Sequence, residues 1–349
     1  MNHKIDIRQL TLEELTKRII ELGEKPYRAI QIHEWLWKKR AIDFSQMTNL
    51  SKSFRKLIED NFIINAIQLK EAQKSKDKTI KNAFLLADNA VIEGVLIPTK
   101  KRMTACVSVQ VGCSLDCAFC ATGKLKRVRN LNADEIYDQV VMINNQSKNE
   151  YDIPISNIVY MGMGEPLLNY NNVLISIERI TSPTGLGMSP KRITLSTAGI
   201  SKMIMKLADD KVKFNLALSL HAANDNKRDK IMPINESNSL SSLKESMIYF
   251  TKKTGTRPTL EYIIFKDFND EISDAKELVE FGNSFPSKVN IIEYNSIDEG
   301  KYQQASKEKV DAFAAYLESQ KVIVNIRRSR GKDIDAACGQ LANKNELVN

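Results

Sequence analysis

The sequence is poor in several features that would place it in a common class of protein. Its 349 residues contain no apolar run approaching the roughly eighteen residues of a transmembrane helix, so we expect no membrane association. The charged N-terminal stretch MNHKIDIRQLTLEEL lacks the apolar core of a signal peptide. We therefore expect a cytoplasmic protein, in which the five cysteines stay reduced and act as metal ligands or catalysts rather than as structural disulfides.

The remaining composition is that of an ordinary globular chain with room for one large and one smaller domain. The formal net charge is +8, and the basic residues cluster in KLKRVR (124–129) and RRSRGK (327–332). A basic run is more often a solvated face than a binding site. These two lie directly after a cysteine cluster and directly before Cys338, which favours contact with a polyanionic partner.

The first part of the chain predicts a small helical accessory domain over residues 1–75. TLEELTKRIIELG opens with Thr11 followed by Glu14, a capping-box pattern, and Gly23 ends the helix. Residues 76–104 alternate apolar and polar side chains and are broken by Asp88-Asn89 and Pro98-Thr99, which predicts a β-hairpin linker region. We expect the main domain at 105–341, followed by a tail at 342–349.

Apolar strands alternate with amphipathic helices through the main domain. The pattern predicts strands at 105–111, 155–161, 191–196, 212–220, 258–265, 288–294 and 321–327. It predicts helices at 132–148, 170–181, 199–209, 239–254, 272–284 and 305–319. Such alternation indicates an α/β fold with parallel strands, either a barrel or a doubly wound sheet. Functional residues should then lie at the carboxyl ends of the strands.

The most specific motif is CSLDCAFC, which contains Cys113, Cys117 and Cys120 at the end of the first of these strands. Three thiolates on one loop can hold three irons of a [4Fe-4S] cluster and leave the fourth iron open. A structural zinc site is the alternative, but it needs a fourth ligand. The nearest candidate is Cys106, because none of the three histidines is close in sequence. Phe119 inside the triplet is typical of the radical S-adenosylmethionine (SAM) superfamily.

A second set of candidate residues follows the later strands. In YMGMGEPL, Gly164 permits close backbone approach and Glu165 can accept from a ligand ammonium, such as that of SAM. Further strand ends carry polar groups: Ser196, Ser219 and His221 in the segment SLH, and Asn295. Leu220, between Ser219 and His221, is included as a candidate contact with them. Each alone is more often a cap than a ligand. Their recurrence at corresponding ends of successive strands favours a SAM site.

Together, CVSVQVGCSLDCAFCATG, MGMGEPL, LSTAGI, LALSLHA, RDKIMPIN and DIDAACGQL resemble the RNA adenine methyltransferases of the RlmN/Cfr family. The resemblance runs from about residue 80 to 341 and implies a partial (β/α)6 TIM-like barrel, the radical SAM core, behind the helical accessory domain. GMGEP is similar to the branch that makes 2-methyladenine. The branch that makes 8-methyladenine usually has alanine in place of Pro166.

The resemblance also implies a mechanism. Cys338 takes a methyl group from one SAM, and a second SAM, cleaved at the reduced cluster, gives the radical that abstracts hydrogen from that methyl group. The resulting methylene radical adds to the base, Glu93 serves as proton acceptor on the adduct, and Cys106 attacks the Cys338 sulfur. The methylated RNA leaves, and a transient disulfide remains. The residues alone do not give Glu93 or Cys338 these roles, since surface carboxylates and free cysteines are common.

The partners implied are 23S rRNA at the peptidyl-transferase centre, tRNA at the adenine beside the anticodon, and an electron donor of the flavodoxin or ferredoxin type. We expect a monomer. Tyr27, Arg28, Trp35 and Trp37 are candidate RNA contacts, although half or more of them belong to a core on general grounds. Two alternatives remain open: C8 methylation of the same adenine, and an Fe–S or zinc RNA-binding protein without turnover.

Overall fold

The computed structural model describes residues 4–100, 102–298 and 300–343. The strands are β1 Ile5–Asp6, β2 Phe62–Ile63, β3 Gln68–Lys74, β4 Ile80–Leu85, β5 Val91–Pro98, β6 Met103–Cys106, β7 Gln110–Val111, β8 Arg129–Asn130, β9 Asn157–Tyr160, β10 Ile193–Thr197, β11 Asn215–Ser219, β12 Thr259–Ile264, β13 Lys288–Glu293 and β14 Val324–Arg327. The helices are α1 Leu12–Glu21, α2 Tyr27–Trp37, α3 Lys52–Asn61, α4 Ala121–Lys124, α5 Ala133–Tyr151, α6 Tyr170–Thr181, α7 Ser201–Asp209, α8 Asp225–Ile231, α9 Leu240–Thr254, α10 Ile272–Gly282 and α11 Lys307–Ser319. Within these residues, no helix combines the length and apolarity that a bilayer crossing requires.

One ten-stranded sheet organises the described residues, in the order β14-β13-β12-β11-β10-β9-β6-β5-β4-β3. Strands β6 and β9 to β14 pair with their neighbours in parallel, with helices between successive strands. The pairs β3–β4, β4–β5 and β5–β6 are antiparallel, so β6 has one neighbour of each kind. Residues from β5, β6, β9, β10, β12, β13 and β14 line a single cavity of about 760 Å³. The sheet is therefore curled into an open barrel with six βα units and a final strand, which confirms the predicted α/β class and partial (β/α)6 barrel.

The alternation of apolar and amphipathic segments located the βα units, but one predicted strand is divided. The predicted strand 105–111 ends as β6 at Cys106, and β7 pairs instead with β8 in a separate antiparallel ribbon. The chain leaves the sheet here because Val109 N–H donates to the carbonyl of Met163, at 2.9 Å, beyond the end of β9. Helix α8 was not predicted, because its seven residues, DNKRDKI, include a single apolar side chain and carry little amphipathic signal.

The N-terminal residues form α1 to α3 and a short parallel ribbon of β1 and β2. The predicted capping box at Thr11 and Glu14 is present, and Gly23 follows α1 with φ +82°. Buried Arg8 ties this part to α5, because its guanidinium lies 3.0 Å from Asp134 and 2.7 Å from Asp138. A buried cation loses its hydration, and the carboxylates of Asp134 and Asp138 offset that cost for Arg8.

The segment 76–104 does not stand apart from the barrel sheet. It supplies β4, β5 and the start of β6. Strand β5 pairs with β6, and Leu96 lies opposite Ala105 in this pair. The turn between β3 and β4 lies beside the C-terminal loop, since Gly331 N–H donates to Asp77 at 2.9 Å. This hairpin therefore helps close the open side of the barrel next to β14.

Candidate active site

Cys113, Cys117 and Cys120 lie on the loop between β7 and α4. The loop is compact because Cys120 N–H donates to the Cys117 carbonyl at 3.1 Å and Asp116 adopts a left-handed φ of 47°. A Cβ at position 123 would stand 3.0 Å from the backbone N and O of Cys117, so Gly123 is needed for α4 to pack on the loop. The three thiols line a common cavity of about 160 Å³.

The three thiols are partly or largely withdrawn from water and influence one another. Burial raises the pKa of Cys113 to about 11, and the Cys120 and Glu165 charges add to the shift. Burial also raises the pKa of Cys117, and Cys120 and Cys113 raise it further. Without a cation these thiols are protonated at neutral pH, so binding of a metal centre must displace protons.

The donor set fits a [4Fe-4S] cluster. Three thiols on one loop match three irons, and the same cavity is lined by the polar groups Glu165, Ser196, Ser219 and His221, which suit a ligand of the open fourth iron. Among the described residues, no group of three or more His, Cys, Asp or Glu is placed to hold a single metal ion. Buried Arg228 supplies positive charge, which lowers the Cys117 pKa against the effect of burial.

Sequence reasoning gave Arg228 no role, although it lies in the quoted RDKIMPIN motif. Its guanidinium is fully buried and donates to the carbonyls of Ala198 at 2.6 Å and Leu220 at 3.1 Å, and to Asn235 Oδ1 at 2.7 Å. These contacts join the ends of β10 and β11 behind the cysteine loop. An arginine within a short polar helix resembles a surface residue in sequence, so only the three-dimensional contacts reveal its position.

Glu165 is held rigidly at the end of β9. Its Oε1 accepts from Leu167 N–H at 3.0 Å and its Oε2 from Ala198 N–H at 2.8 Å. Burial raises the Glu165 pKa, and the two backbone donors oppose that rise. Gly164 has φ +96°, and a Cβ there would stand 2.5 Å from the Gln110 side chain. The GMGE turn thus places a fixed carboxylate beside the cysteine loop.

The predicted strand-end groups are brought together in part. Ser196 and Ser219 lie on neighbouring strands with their hydroxyl oxygens 3.2 Å apart, and both line the cysteine cavity with His221. Burial lowers the His221 pKa to about 3, with Arg228 contributing, so the imidazole is neutral. Its Nδ1 accepts from Ile263 N–H at 3.1 Å, and its ring meets Phe119 edge-on with centroids 4.8 Å apart.

Leu220 and Asn295 are placed differently from the other predicted SAM contacts. Within the described part of the chain, neither is among the residues that line the two cavities. Leu220 is fully buried in the core. Asn295 donates through Nδ2 to the Cys338 carbonyl at 3.2 Å, and its buried Oδ1 has no hydrogen-bond partner.

Cys106 and Cys338, some two hundred positions apart in sequence, face the same large cavity. Cys338 is exposed and also borders the cysteine cavity, whereas Cys106 is buried on β6. All five cysteines are free thiols in this structure. Burial raises the pKa of Cys106 to about 12; Cys338 raises it further, and Arg327 opposes the shift.

The loop that carries Cys338 is fastened to the cysteine loop. Ala121 N–H donates to the Gly339 carbonyl at 2.7 Å, and Thr122 Oγ1 donates to the Leu341 carbonyl at 2.6 Å. Gly339 has φ +84°, a conformation that glycine adopts without strain. The loop of Cys338 and the loop of Cys113, Cys117 and Cys120 are therefore neighbours in the fold.

Glu93 lies on β5 on the same face as Val95 and Ile97, which line the large cavity, but it is not itself a lining residue. Its carboxylate is buried and accepts from the backbone of Ala342 at 2.8 Å and Asn343 at 3.2 Å. Lys81 Nζ lies 3.4 Å from the other carboxylate oxygen. Glu93 thus lies beneath the segment that follows Cys338.

The two basic runs differ in how much free charge they present. Lys124, Lys126 and Arg127 are exposed, and none of the three has an ion-pair partner among the described residues. The second run is largely neutralised, in the pairs Arg327–Glu261, Arg328–Glu293 and Lys332–Glu293. Its first residue, Arg327, faces the interior cavities rather than a solvated basic surface.

The chain matches two protein-family models. Residues 5–64 match the ribosomal RNA large subunit methyltransferase N-terminal domain, and residues 107–279 match the radical SAM superfamily. The superfamily match implies a [4Fe-4S] cluster and SAM as cofactors, in agreement with the cysteine cavity and its strand-end groups.

Similarity to individual proteins extends over almost the whole chain. A protein of Christiangramia forsetii named "Probable dual-specificity RNA methyltransferase RlmN" is 58% identical over 98% of this chain and 97% of its own length. A protein of Flavobacterium johnsoniae with the same name is 54% identical over 99% of both chains. The crystal structure of a radical SAM methyltransferase from Sphaerobacter thermophilus superimposes with a TM-score of 0.91 at 35% identity, over 97% of this chain and 99% of that one. These similarities, together with the geometry of the site, show that this chain belongs to the RlmN family of radical SAM RNA methyltransferases.

Proposed function

We propose that this enzyme forms 2-methyladenine in 23S rRNA at the peptidyl-transferase centre and in tRNA beside the anticodon, through a methylated Cys338. The observation that supports this most directly is the arrangement of the five cysteines. Cys338 borders both the cysteine cavity and the larger cavity, and Cys106 faces it across the larger one. A methyl carrier must reach a methyl donor on one side and a base on the other, and Cys338 lies at that junction.

The cluster and SAM would be held by residues of the smaller cavity. Cys113, Cys117 and Cys120 would ligate iron, and Glu165 would accept from the SAM ammonium, since its carboxylate is already oriented by two backbone donors. Gly164, Ser196, Ser219 and His221 would contact the rest of the molecule, with Leu220 contributing only backbone and Asn295 approaching through its unpaired Oδ1. When bound, these groups supply a methyl group and a radical that abstracts hydrogen, from two SAM molecules per turnover.

The chain's own residues would then carry the methyl group and release the product. Cys338 would form the S-methyl intermediate, and Cys106 would attack the Cys338 sulfur to form a transient disulfide. A thiolate is the nucleophile in both reactions. Glu93 would accept the proton of the RNA adduct, for which the segment at Ala342 and Asn343 has to move, since its backbone donors now occupy one carboxylate oxygen.

RNA would bind across the cavity mouth. The exposed Lys124, Lys126 and Arg127 suit phosphate contacts, because no carboxylate of the described residues pairs with them. In the N-terminal domain, Tyr27 is exposed and Trp35 is half-buried, whereas Trp37 packs against Tyr137 at 5.4 Å and is core. The target adenine must be unstacked to reach Cys338, which favours a loop or a single-stranded target.

C8 methylation of the same adenine is the second candidate, because the family resemblance covers enzymes that methylate either ring carbon. Pro166 favours C2, since the C8 branch usually has alanine there. We further propose that the enzyme acts in the cytoplasm as a monomer, with an electron donor of the flavodoxin or ferredoxin type.

Anaerobic reconstitution with iron, sulfide, a reductant and SAM tests the proposal, with a 23S rRNA fragment and a tRNA as separate substrates. We expect 5′-deoxyadenosine and, after nuclease digestion, 2-methyladenosine by chromatography and mass spectrometry. 8-Methyladenosine would establish the second candidate. Neither product, in a preparation with full iron content, would leave an Fe–S RNA-binding protein as the remaining interpretation.

A further inference from the structure

Arg327 ends β14 and lines both cavities, although the sequence placed it in a basic surface run. Its guanidinium donates to Glu261 Oε2 at 3.1 Å and lies 4.0 Å from the Met161 sulfur. Cys106 and Cys338 both interact with its charge. Burial lowers the Arg327 pKa, and Cys338, Glu261 and Cys106 together outweigh that effect.

The guanidinium is held in place by a chain of hydrogen bonds across the barrel. Glu261 is buried on β12, and its second oxygen accepts from Asn290 at 2.8 Å. Asn290 in turn accepts from Asn325 at 3.3 Å. The chain spans the three neighbouring strands β12, β13 and β14, so the position of Arg327 is fixed by the sheet itself.

Among the described residues, five further charged groups line the larger cavity, and one of them, Glu261, is the partner of Arg327. They are Arg102, Glu261, Lys288, Arg328 and Arg330, and the remaining titratable groups there are Cys106, Cys120 and Cys338. Arg328 pairs with Glu293, and Arg330 donates to the Asp77 carbonyl at 3.4 Å. Lys288 begins β13, at the end of the barrel opposite the cysteine loop.

We propose that Arg327 is a positioning residue for the transfer thiol Cys106, and that its guanidinium, in the same cavity, favours the anionic, nucleophilic form of that sulfur against the effect of burial. Cys106 needs such help because it has lost its hydration on a buried strand, where a protonated thiol is favoured. The significance of this reactivity rests on the proposed function, but the reactivity itself is independent of it.

The test is the rate at which methyl methanethiosulfonate modifies Cys106 and Cys338 in anaerobically reconstituted holoenzyme, in which iron protects the cluster thiols. In this reaction the thiolate sulfur attacks the reagent sulfur, an S–S bond forms and methanesulfinate leaves. Peptide mass spectrometry reads each cysteine separately. For Arg327→Gln we expect about a tenfold slower reaction at Cys106, the equivalent of one pKa unit, and substantial recovery in Arg327→Lys.

Two further variants separate charge from structure. Glu261→Gln removes the carboxylate that neutralises the guanidinium while preserving its shape, so Cys106 should react faster than in the wild type. Arg257→Gln, at an exposed arginine just before β12, should react at the wild-type rate. Equal rates in wild type and Arg327→Gln, or slower reaction in Glu261→Gln, would overturn the proposal. Failure of RNA methylation by the wild type would count against the proposed function and would leave these rate ratios unaffected.

Discussion

The carboxylate of Glu93 accepts the backbone N–H of Ala342 at 2.8 Å, which joins the candidate proton acceptor to the segment that follows Cys338. Asn343 adds a second backbone donor and, through its side chain, a hydrogen bond to the Val91 carbonyl at 2.7 Å. Lys81 completes the environment of Glu93, and both side chains of that ion pair are buried. The position of the Cys338 loop and the charge on Glu93 are therefore linked.

Glu93→Gln should lower both stability and turnover, for different reasons. Loss of the carboxylate leaves buried Lys81 without a counter-charge, and we expect the free energy of unfolding to fall by about 2–4 kcal/mol. S-methylation of Cys338 should persist, whereas release of methylated RNA should fail. Urea unfolding and peptide mass spectrometry measure the two effects. The double variant Lys81→Gln, Glu93→Gln should recover stability but not turnover, and recovery of both would refute a proton acceptor at this position.

Cys338→Ala should keep the iron and abolish methyl transfer to RNA. The side chain is exposed at the cavity junction and holds no predicted cluster position, so its loss leaves Cys113, Cys117 and Cys120 unchanged. Iron analysis, the cluster absorption spectrum and product analysis by mass spectrometry check this. Cys113→Ala serves as the contrasting variant, in which iron is lost as well. Wild-type methylation by Cys338→Ala would remove the carrier role.

Cys106→Ala should trap the enzyme on its substrate. Without a thiol to attack the Cys338 sulfur, the carbon–sulfur link to the base has no partner for release, and protein should remain covalently bound to RNA. A slowly migrating band on a denaturing gel, sensitive to both nuclease and protease, is the expected result. Free methylated RNA in wild-type yield, with no such band, would mean that Cys106 does not resolve the adduct.

Sequence periodicity located the βα units because each buried strand and amphipathic helix carries its own signal. The cysteine spacing likewise predicted Cys113, Cys117 and Cys120 as cluster ligands, since they are close in the chain, and the structure brings all three to one cavity. The setting of Arg228 and Arg327 was not predictable in this way. Both are arginines in polar segments, and their burial depends on carbonyls and carboxylates from other strands, such as Ala198 for Arg228 and Glu261 for Arg327. The prediction that Cys106 and Cys338 act together, although they are distant in the chain, rested on the family resemblance.

Acid should destabilise the fold through His221. Burial lowers its pKa to about 3, below the ordinary value of 6.5, so the unfolded chain binds the proton more readily. The stability from the neutral form is complete above pH 6.5 and is lost progressively as the pH falls towards 3. Between pH 6.5 and pH 5 this one residue should cost about 2 kcal/mol.

Urea unfolding of iron-free protein at several pH values checks this, because acid loss of the cluster then makes no contribution. His221→Asn can still accept from Ile263 N–H but does not titrate, so its stability should fall less steeply with acid. His33, with a pKa lowered to about 4 by burial and Arg179, contributes in the same direction in both proteins. Parallel curves for the two proteins would show that His221 is not held neutral.

Asp333→Ala should loosen the loop that carries Cys338. Asp333 accepts from Ser75 Oγ at 2.6 Å and from Lys76 N–H at 3.2 Å, which fastens this loop to the β3–β4 turn across the open side of the barrel. Without these bonds, amide hydrogen exchange should accelerate over 75–79 and 331–341, while the remaining barrel strands keep wild-type rates.

Glu318→Ala, at an exposed position on α11, is the matched control and should leave both segments unchanged. Because Gly331 N–H still donates to Asp77, the loop should remain docked on average, and RNA methylation should slow rather than stop. Unchanged exchange in both segments would show that the fastening on the cysteine-loop side, through Ala121 and Thr122, is sufficient by itself.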